Sequence, residues 1–581
     1  MKLLSLSKYF YLVVFLLNFC NNLHSEDAVD IWKKNKELSE QENNNSIKNN
    51  NSNSIFSSIN KKNKNKDIEI EQDISEKFEE TKLYGIFDPN NNDFTLYMWS
   101  RTSKNEFNNI IKRINKLDLS PEAENIFVKT LFSDSYHPSE IKEEEFIKVK
   151  IDWLIQNERE DLIEQFLKKN KNFPQKGKLI QYLVDKNISR ANIVRACENM
   201  GFISKDIKDI YLDKFNIYCL IFNNKKNQAQ LLFDILKEQG KSDNFFDDKI
   251  NYLLGITKKT NNKIYDNNLL NFYLSSVTVK DFKYEPNNKT KKFIWEYLNS
   301  ANLIELDEVG DKEKIKNFEI AANENRLDKN KIFEFYKKIK FDLNTLINAE
   351  SIYQTLPGID ARALLYQKYL LSDKIENKIE LLFELKNLFK KEKLSNVFTL
   401  YMSEQLKALE AEQGIPKEYL EAVKDNIVED VEVSRGKIKY DDKILHRSRI
   451  LKYFTENNKT TKKTEKDLIA VYKKIKKNRD YFFSAKDLAL VQSLAIDGIK
   501  IPKEIKYKEI EKKYAIPENL LNLVSDKQKG FLALKIVEII GEDEIYNLDP
   551  ETIFFIIDLL NRAELFKFRN QILTSALPLR A

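Results

Sequence analysis

The apolar residues Ile207, Tyr211, Phe215, Tyr218 and Phe222 recur at spacings of 4, 4, 3 and 4. That is the period at which side chains fall on one face of an α-helix. Ile147, Ile151 and Leu154 form a second stripe, and Ala229, Leu232, Phe233 and Leu236 a third. The turn residues point the same way. Only 12 Gly and 11 Pro occur in 581 residues, too few for strands joined by tight turns and enough for helices joined by short polar loops. Start signals fit as well. Ser120-Pro121-Glu122 and Asp549-Pro550-Glu551 place a cap residue before a first-turn proline, and Ser484 with Asp487 resembles a capping box. Gly240, Gly414 and Gly541 are placed as helix stops. The pattern predicts an all-α chain. Short amphipathic helices cannot each bury a face alone, but stacked antiparallel pairs can. The expected architecture is therefore an α-solenoid, an αα-superhelix of tetratricopeptide-like form without a strict repeat consensus.

The N-terminus reads as an export signal over residues 1–25. Lys2 and Lys8 supply positive charge, and Tyr9 to Phe19 form an apolar run short for a bilayer span. Leu23-His24-Ser25 offers a cleavage site. The residues before Cys20 are not the small ones a lipidation signal requires. Residues 26–75 follow as a low-complexity linker: Glu42 to Lys66 is mostly Asn, Ser and Lys, with almost nothing apolar to offset the entropy of ordering. The folded body is expected from Glu76, as helical arrays over 76–340 and 341–581. No second apolar run approaches a membrane span, so the mature chain is expected to contain no transmembrane segment.

Charge narrows the partners. The chain has 96 basic and 90 acidic residues, a net charge of +6, with both signs interspersed. Solvated helix faces look like this; a nucleic-acid binder concentrates its basic residues on one element.

Four segments, taken in order, resemble a family of exported helical proteins of alphaproteobacteria. They are Gly85-Ile86-Phe87-Asp88-Pro89 with Met98-Trp99-Ser100-Arg101; Ser120-Pro121 through Leu131-Phe132 to His137-Pro138; Arg195-Ala196-Cys197 through Tyr218-Cys219 to Leu232–Gly240; and Leu356-Pro357-Gly358-Ile359-Asp360-Ala361-Arg362-Ala363-Leu364-Leu365-Tyr366-Gln367. Some members of that family are labelled "antifreeze glycopeptide polyprotein", but this chain has none of the small-residue tripeptide repetition such a label implies. The resemblance implies export and a helical array. It implies no catalytic residue.

Little in the chain carries catalytic chemistry. Beyond the signal segment the only histidines are His137, which precedes a proline, and His446, beside Arg447. No His-x-x-x-His or Cys-x-x-Cys spacing occurs, so no metal site is expected, and no phosphate-binding glycine loop or dinucleotide fingerprint implies a cofactor. Glu143-Glu144-Glu145 reads as a helix first turn complementing the dipole. A Ser-His-Asp triad would have to use His137 or His446 as its base. Glu350-Ser351 matches the catalytic Glu-Ser pair of lytic transglycosylases, whose acid protonates a glycosidic oxygen from an apolar setting. The glycine-containing segment expected downstream is absent, and the region reads as a helix ending before Pro357-Gly358. The 26 Tyr and 37 Phe are read as core.

Cys197 and Cys219 are assigned as a disulfide, since an exported chain meets an oxidising compartment. Geometry decides it. A turn near 205–209 sets the two level on neighbouring helices, whereas a turn at Gly201–Ile203 leaves Cys219 too far along to bridge. The expected function is a periplasmic helical scaffold that binds a protein partner in the cell envelope. A peptidoglycan-acting enzyme or accessory, and a structural envelope protein, are the alternatives.

Overall fold

The computed structural model describes residues 83–580 except 205, 288, 305–310, 412–414, 429–437, 456–459, 479–480, 513, 515–517 and 525–526. The signal segment 1–25, the linker 26–75 and the stop at Gly414 lie outside the described residues.

Helices begin where side chains satisfy their first free N–H groups. Ser103 and Glu106 form a reciprocal capping box at Lys104–Ile114, and Ser484 and Asp487 form another at Ala485–Ile496. Pro121 and Pro550 open Pro121–Leu131 and Pro550–Arg562, and Asp549 caps the latter through the N–H groups of Glu551 and Thr552. The acidic run at 143–145 is the first turn of Glu143–Gln156. Gly240 and Gly541 take positive φ beyond helix ends. Most other stops are not glycine: Asn224, Asn302, Asn325, Lys393 and Glu564 all adopt the left-handed conformation. Asn is the residue that tolerates it best after glycine.

The protein is an all-α solenoid, with most helices packed on sequence neighbours. Ile210–Phe222 and Lys226–Glu238 form a hairpin across residues 223–225. Gly358–Leu371, Ile375–Lys391 and Ser395–Ala411 follow one another in the same way, as do Pro550–Arg562 and Phe566–Ala576. The apolar stripes supply the contact faces: Ile147, Ile151, Leu154, Phe215, Tyr218, Ala229, Phe233 and Leu236 are all buried. Ile207 precedes its helix, because Asp209 caps that helix at Ile210. Among the described residues the named strands are the two-residue pair Ile438–Lys439 and Leu579–Arg580. No helix of the described residues is long and apolar enough to cross a membrane.

Two features depart from simple nearest-neighbour stacking. Lys176–Ser189 is buried on several sides and packs against Ile193–Glu198, Ile210–Phe222, Leu269–Thr278 and Lys292–Ser300. The late helix Lys529–Ile540 packs against the early helices Lys104–Ile114 and Pro121–Leu131. Backbone bonds seal that contact: Gly530 N–H donates to Met98 O at 3.2 Å, Ser120 N–H to Gly541 O at 3.0 Å, and Arg101 N–H to Lys527 O at 3.2 Å. Arg113 pairs with Glu538 alongside, and the rings of Phe94 and Phe568 meet edge-on at 5.5 Å.

The segment at 84–86 is held by side chains from the following helices. Lys150 Nζ donates to Tyr84 O at 2.6 Å, Asn170 Nδ2 to Gly85 O at 3.0 Å, and Lys169 Nζ to Ile86 O at 3.3 Å. Gly85 is there for space: a Cβ would stand 2.7 Å from Phe132 O and from Asp134 N.

Candidate functional site

Glu350 lies on the four-residue helix Ala349–Ile352 and is exposed to solvent. Its carboxyl is open to solvent and not enclosed in the apolar setting that a glycosidase-type acid occupies. His137 sits in a loop, with Nδ1 3.0 Å from Pro138 O. No group of three His, Cys, Asp or Glu placed to hold a metal occurs among the described residues.

Among the described residues, His446 is the histidine with catalytic-looking partners. It lies in the 3-10 turn Leu445–Arg447, against the start of Ala485–Ile496. Its Nδ1 is 2.8 Å from Asp487 Oδ1, and Ser484 Oγ is 3.5 Å from the same nitrogen. The three residue types are those of a triad, but the connectivity is wrong. A triad sets the carboxylate on Nδ1 and the serine on Nε2. Here both approach Nδ1, and Ser484 Oγ donates directly to Asp487 Oδ2 at 3.1 Å.

The same atoms make good sense as a helix cap. Asp487 is fully buried, and its carboxylate accepts from the N–H groups of His446 and Ser484 (both 2.9 Å) and from the Tyr481 hydroxyl (2.9 Å). Burial pushes this carboxyl up. The hydrogen bond and charge of His446, with the Ser484 N–H and the Tyr481 hydroxyl, outweigh burial and hold it below the usual range. An ionised Asp487 only accepts, so His446 Nδ1 carries the proton of their bond. The cluster ties the turn at 445–447 to a helix start.

A second buried polar cluster went unread in the sequence. Glu319 and Arg362 are 1% and 2% exposed. Arg362 Nη2 donates to both Glu319 oxygens at 2.7 and 2.9 Å, and Nε to Glu319 Oε1 and to the Tyr336 hydroxyl, both at 3.1 Å. Tyr336 completes the triangle by donating to Glu319. Burial pushes the Glu319 carboxyl up, while the Arg362 guanidinium and Tyr336 hydroxyl pull it back; the net direction is upward. The Phe389 ring lies 5.4 Å from the guanidinium carbon. Sealed from solvent, the cluster joins Lys312–Asn323, Lys329–Lys338 and Gly358–Leu371 and has no opening for a substrate. The sequence did carry a signal: each charge interrupts an apolar run, Phe318-Glu319-Ile320-Ala321 and Ala361-Arg362-Ala363-Leu364.

Cys197 and Cys219 are joined as a disulfide, with Cα atoms 5.5 Å apart. The reversal between them runs from the 3-10 turn Asn199–Phe202 to Ile210, where the next helix begins. That late start sets the third turn of the second helix beside the end of the first.

A cavity of about 470 Å³ opens beside Lys186, Glu296, Asn299, Lys329 and Glu404. Its buried cation is already neutralised, since Lys186 pairs with Glu158 at 2.8 Å and with Glu296 at 3.4 Å. No protein-family model, curated protein or solved structure matches this chain.

Proposed function

We propose that the chain is an exported, periplasmic helical scaffold that binds a protein partner in the cell envelope. The observation that carries this reading is an apolar surface without a cover among the described residues. The short helix Leu343–Ile347 buries none of its own residues. Leu343 is 73% and Ile347 62% exposed, and Leu371, at the end of Gly358–Leu371, is 65% exposed. The two helices are neighbours, and Lys368 Nζ donates to Ile347 O at 3.2 Å. Large apolar groups exposed on neighbouring helices cost free energy in water, and such surfaces commonly mark sites of association. Export is supported by the charged and apolar pattern of residues 1–25 and by the disulfide, which suits an oxidising compartment. The four ordered segments that resemble exported alphaproteobacterial helical proteins support the same reading.

The test is recovery of a tagged full chain from periplasmic extract. One stoichiometric protein partner is expected, and Ile347→Asn or Leu371→Asn should abolish its recovery without changing the unfolding temperature. Retention on purified cell wall, with no protein partner, would favour a peptidoglycan-acting role instead.

A further inference from the structure

A cleft of about 320 Å³ lies near the C-terminal end of the chain, lined by Arg447, Lys486, Tyr546, Ser575 and the apolar stretch Ala576–Leu579. That volume falls at the lower end of small-molecule sites. Its charges are of one sign, because both charged lining residues are cations. Neither the Arg447 nor the Lys486 side chain has an ion-pair or hydrogen-bond partner among the described residues, although both are half-buried. Arg159 and Lys214, also half-buried, are by contrast paired with Glu124 and Asp243. Burial and the neighbouring Arg447 guanidinium hold the Lys486 ammonium below its ordinary value, with Asp549 opposing. Asp549 is committed as a helix cap, taking the N–H groups of Glu551 and Thr552 and the Thr552 hydroxyl.

We infer that this cleft is a binding site for a phosphate monoester carried on an apolar group. Two unpaired cations match the charge of a phosphate monoester near neutral pH. The Tyr546 and Ser575 hydroxyls, which have no partner among the described residues, supply further donors to its oxygens. The wall at Ala576, Leu577 and Pro578, all buried, accepts the attached carbon chain. A bare inorganic anion would leave that wall wet. The same phosphate chemistry occurs in a soluble alkyl phosphate and in the headgroup of a phosphatidate lipid.

The experiment is calorimetric titration of the full chain with hexyl phosphate, inorganic phosphate, and phosphatidylcholine vesicles with and without phosphatidate. Hexyl phosphate should bind one-to-one, more tightly than inorganic phosphate, and raise the unfolding temperature. Arg447→Gln and Lys486→Gln should each weaken it by at least about tenfold, the scale of a lost charge-assisted hydrogen bond. Ser575→Ala should weaken it less. Lys503→Gln removes an exposed cation elsewhere and should change nothing. Competition by phosphatidate vesicles would identify the lipid as the source of the phosphate, and its absence a soluble ester. The inference is overturned if neither hexyl phosphate nor phosphatidate vesicles bind saturably, or if Lys503→Gln weakens binding as much as Arg447→Gln.

Discussion

Gly530 lies flat against the indole of Trp99: a Cβ built at 530 would stand 2.8 Å from three atoms of that ring. Trp99 is fully buried, and its Nε1 donates to Ser135 Oγ at 3.1 Å, so the ring has little freedom to retreat. Gly530 is also where the late helix Lys529–Ile540 docks on the early part of the fold. Gly530→Ala is therefore expected to destabilise by about 1–3 kcal/mol, the range for overpacking a filled core. Gly201→Ala is the control, since no atom lies within 4 Å of a Cβ there. Urea unfolding of both variants checks this. Equal midpoints for the two would refute the close contact.

The helical class was legible because its signals are local. Periodicity, caps and first-turn charge at Glu143–Glu145, Ser484–Asp487 and Asp549–Pro550 act within one or two turns, and sequence shows them directly. Helix stops were less legible, because Asn224, Lys393 and Glu564 hold left-handed backbone that is usually read from glycine. Contacts between distant segments were not legible at all. Nothing near Trp99 names Gly530 as its neighbour, and nothing near Glu319 names Arg362. The His446–Asp487 pairing needed the turn at 445–447 to be brought to a helix start 38 residues away, at Ser484. Composition could say that few chemistries were available. Only the fold could show that the remaining Ser, His and Asp meet at a cap with the wrong connectivity for a triad.

The Glu319–Arg362 pair gives a second expectation. Removing one member strands the other in a site closed to solvent, which costs more than the pair itself contributes. Glu319→Ala is expected to destabilise by about 3–5 kcal/mol. The double variant Glu319→Met, Arg362→Leu, which replaces both charges with apolar groups, should recover much of that loss. A double-mutant cycle by chemical denaturation measures the coupling. If the double variant is as unstable as the sum of the two singles, the sites are independent and the account fails.

The disulfide gives a third. Its cysteines are separated by 22 positions, and closing a loop of that size restricts the unfolded chain by an amount worth about 3 kcal/mol. Protein purified without reductant should show no thiol labelling at Cys197 or Cys219 after unfolding, unless reductant is added. Peptide mass mapping distinguishes these sites from Cys20. The Cys197→Ser, Cys219→Ser variant should unfold at a lower temperature than the oxidised protein, and reductant should no longer affect it. Labelling of both cysteines in untreated protein would contradict the bridge.

Asp185 makes stability depend on pH in a direction that can be stated in advance. Burial pushes its carboxyl up to about 7, against the opposing hydrogen bonds of Tyr211 and Gln181 and the charge of Lys291. In the unfolded chain the same group titrates near ~4. Between those values the folded protein binds more protons than the unfolded chain, so stability falls as pH rises. The contribution is fully present below about 4 and is lost as pH passes through about 7. Asp185→Asn retains an acceptor for the Tyr211 hydroxyl, the bond now made to the carboxylate, and removes the titration. The variant should match the wild type at pH 4 and exceed it at pH 8. Within the window the difference should grow by up to about 1.4 kcal/mol per pH unit, the limit for one proton. Taking the difference cancels every other titrating group the two proteins share. Unfolding free energies measured at intervals from pH 4 to pH 8 test this, and a difference that does not change with pH would show that Asp185 titrates alike in the folded and unfolded chain.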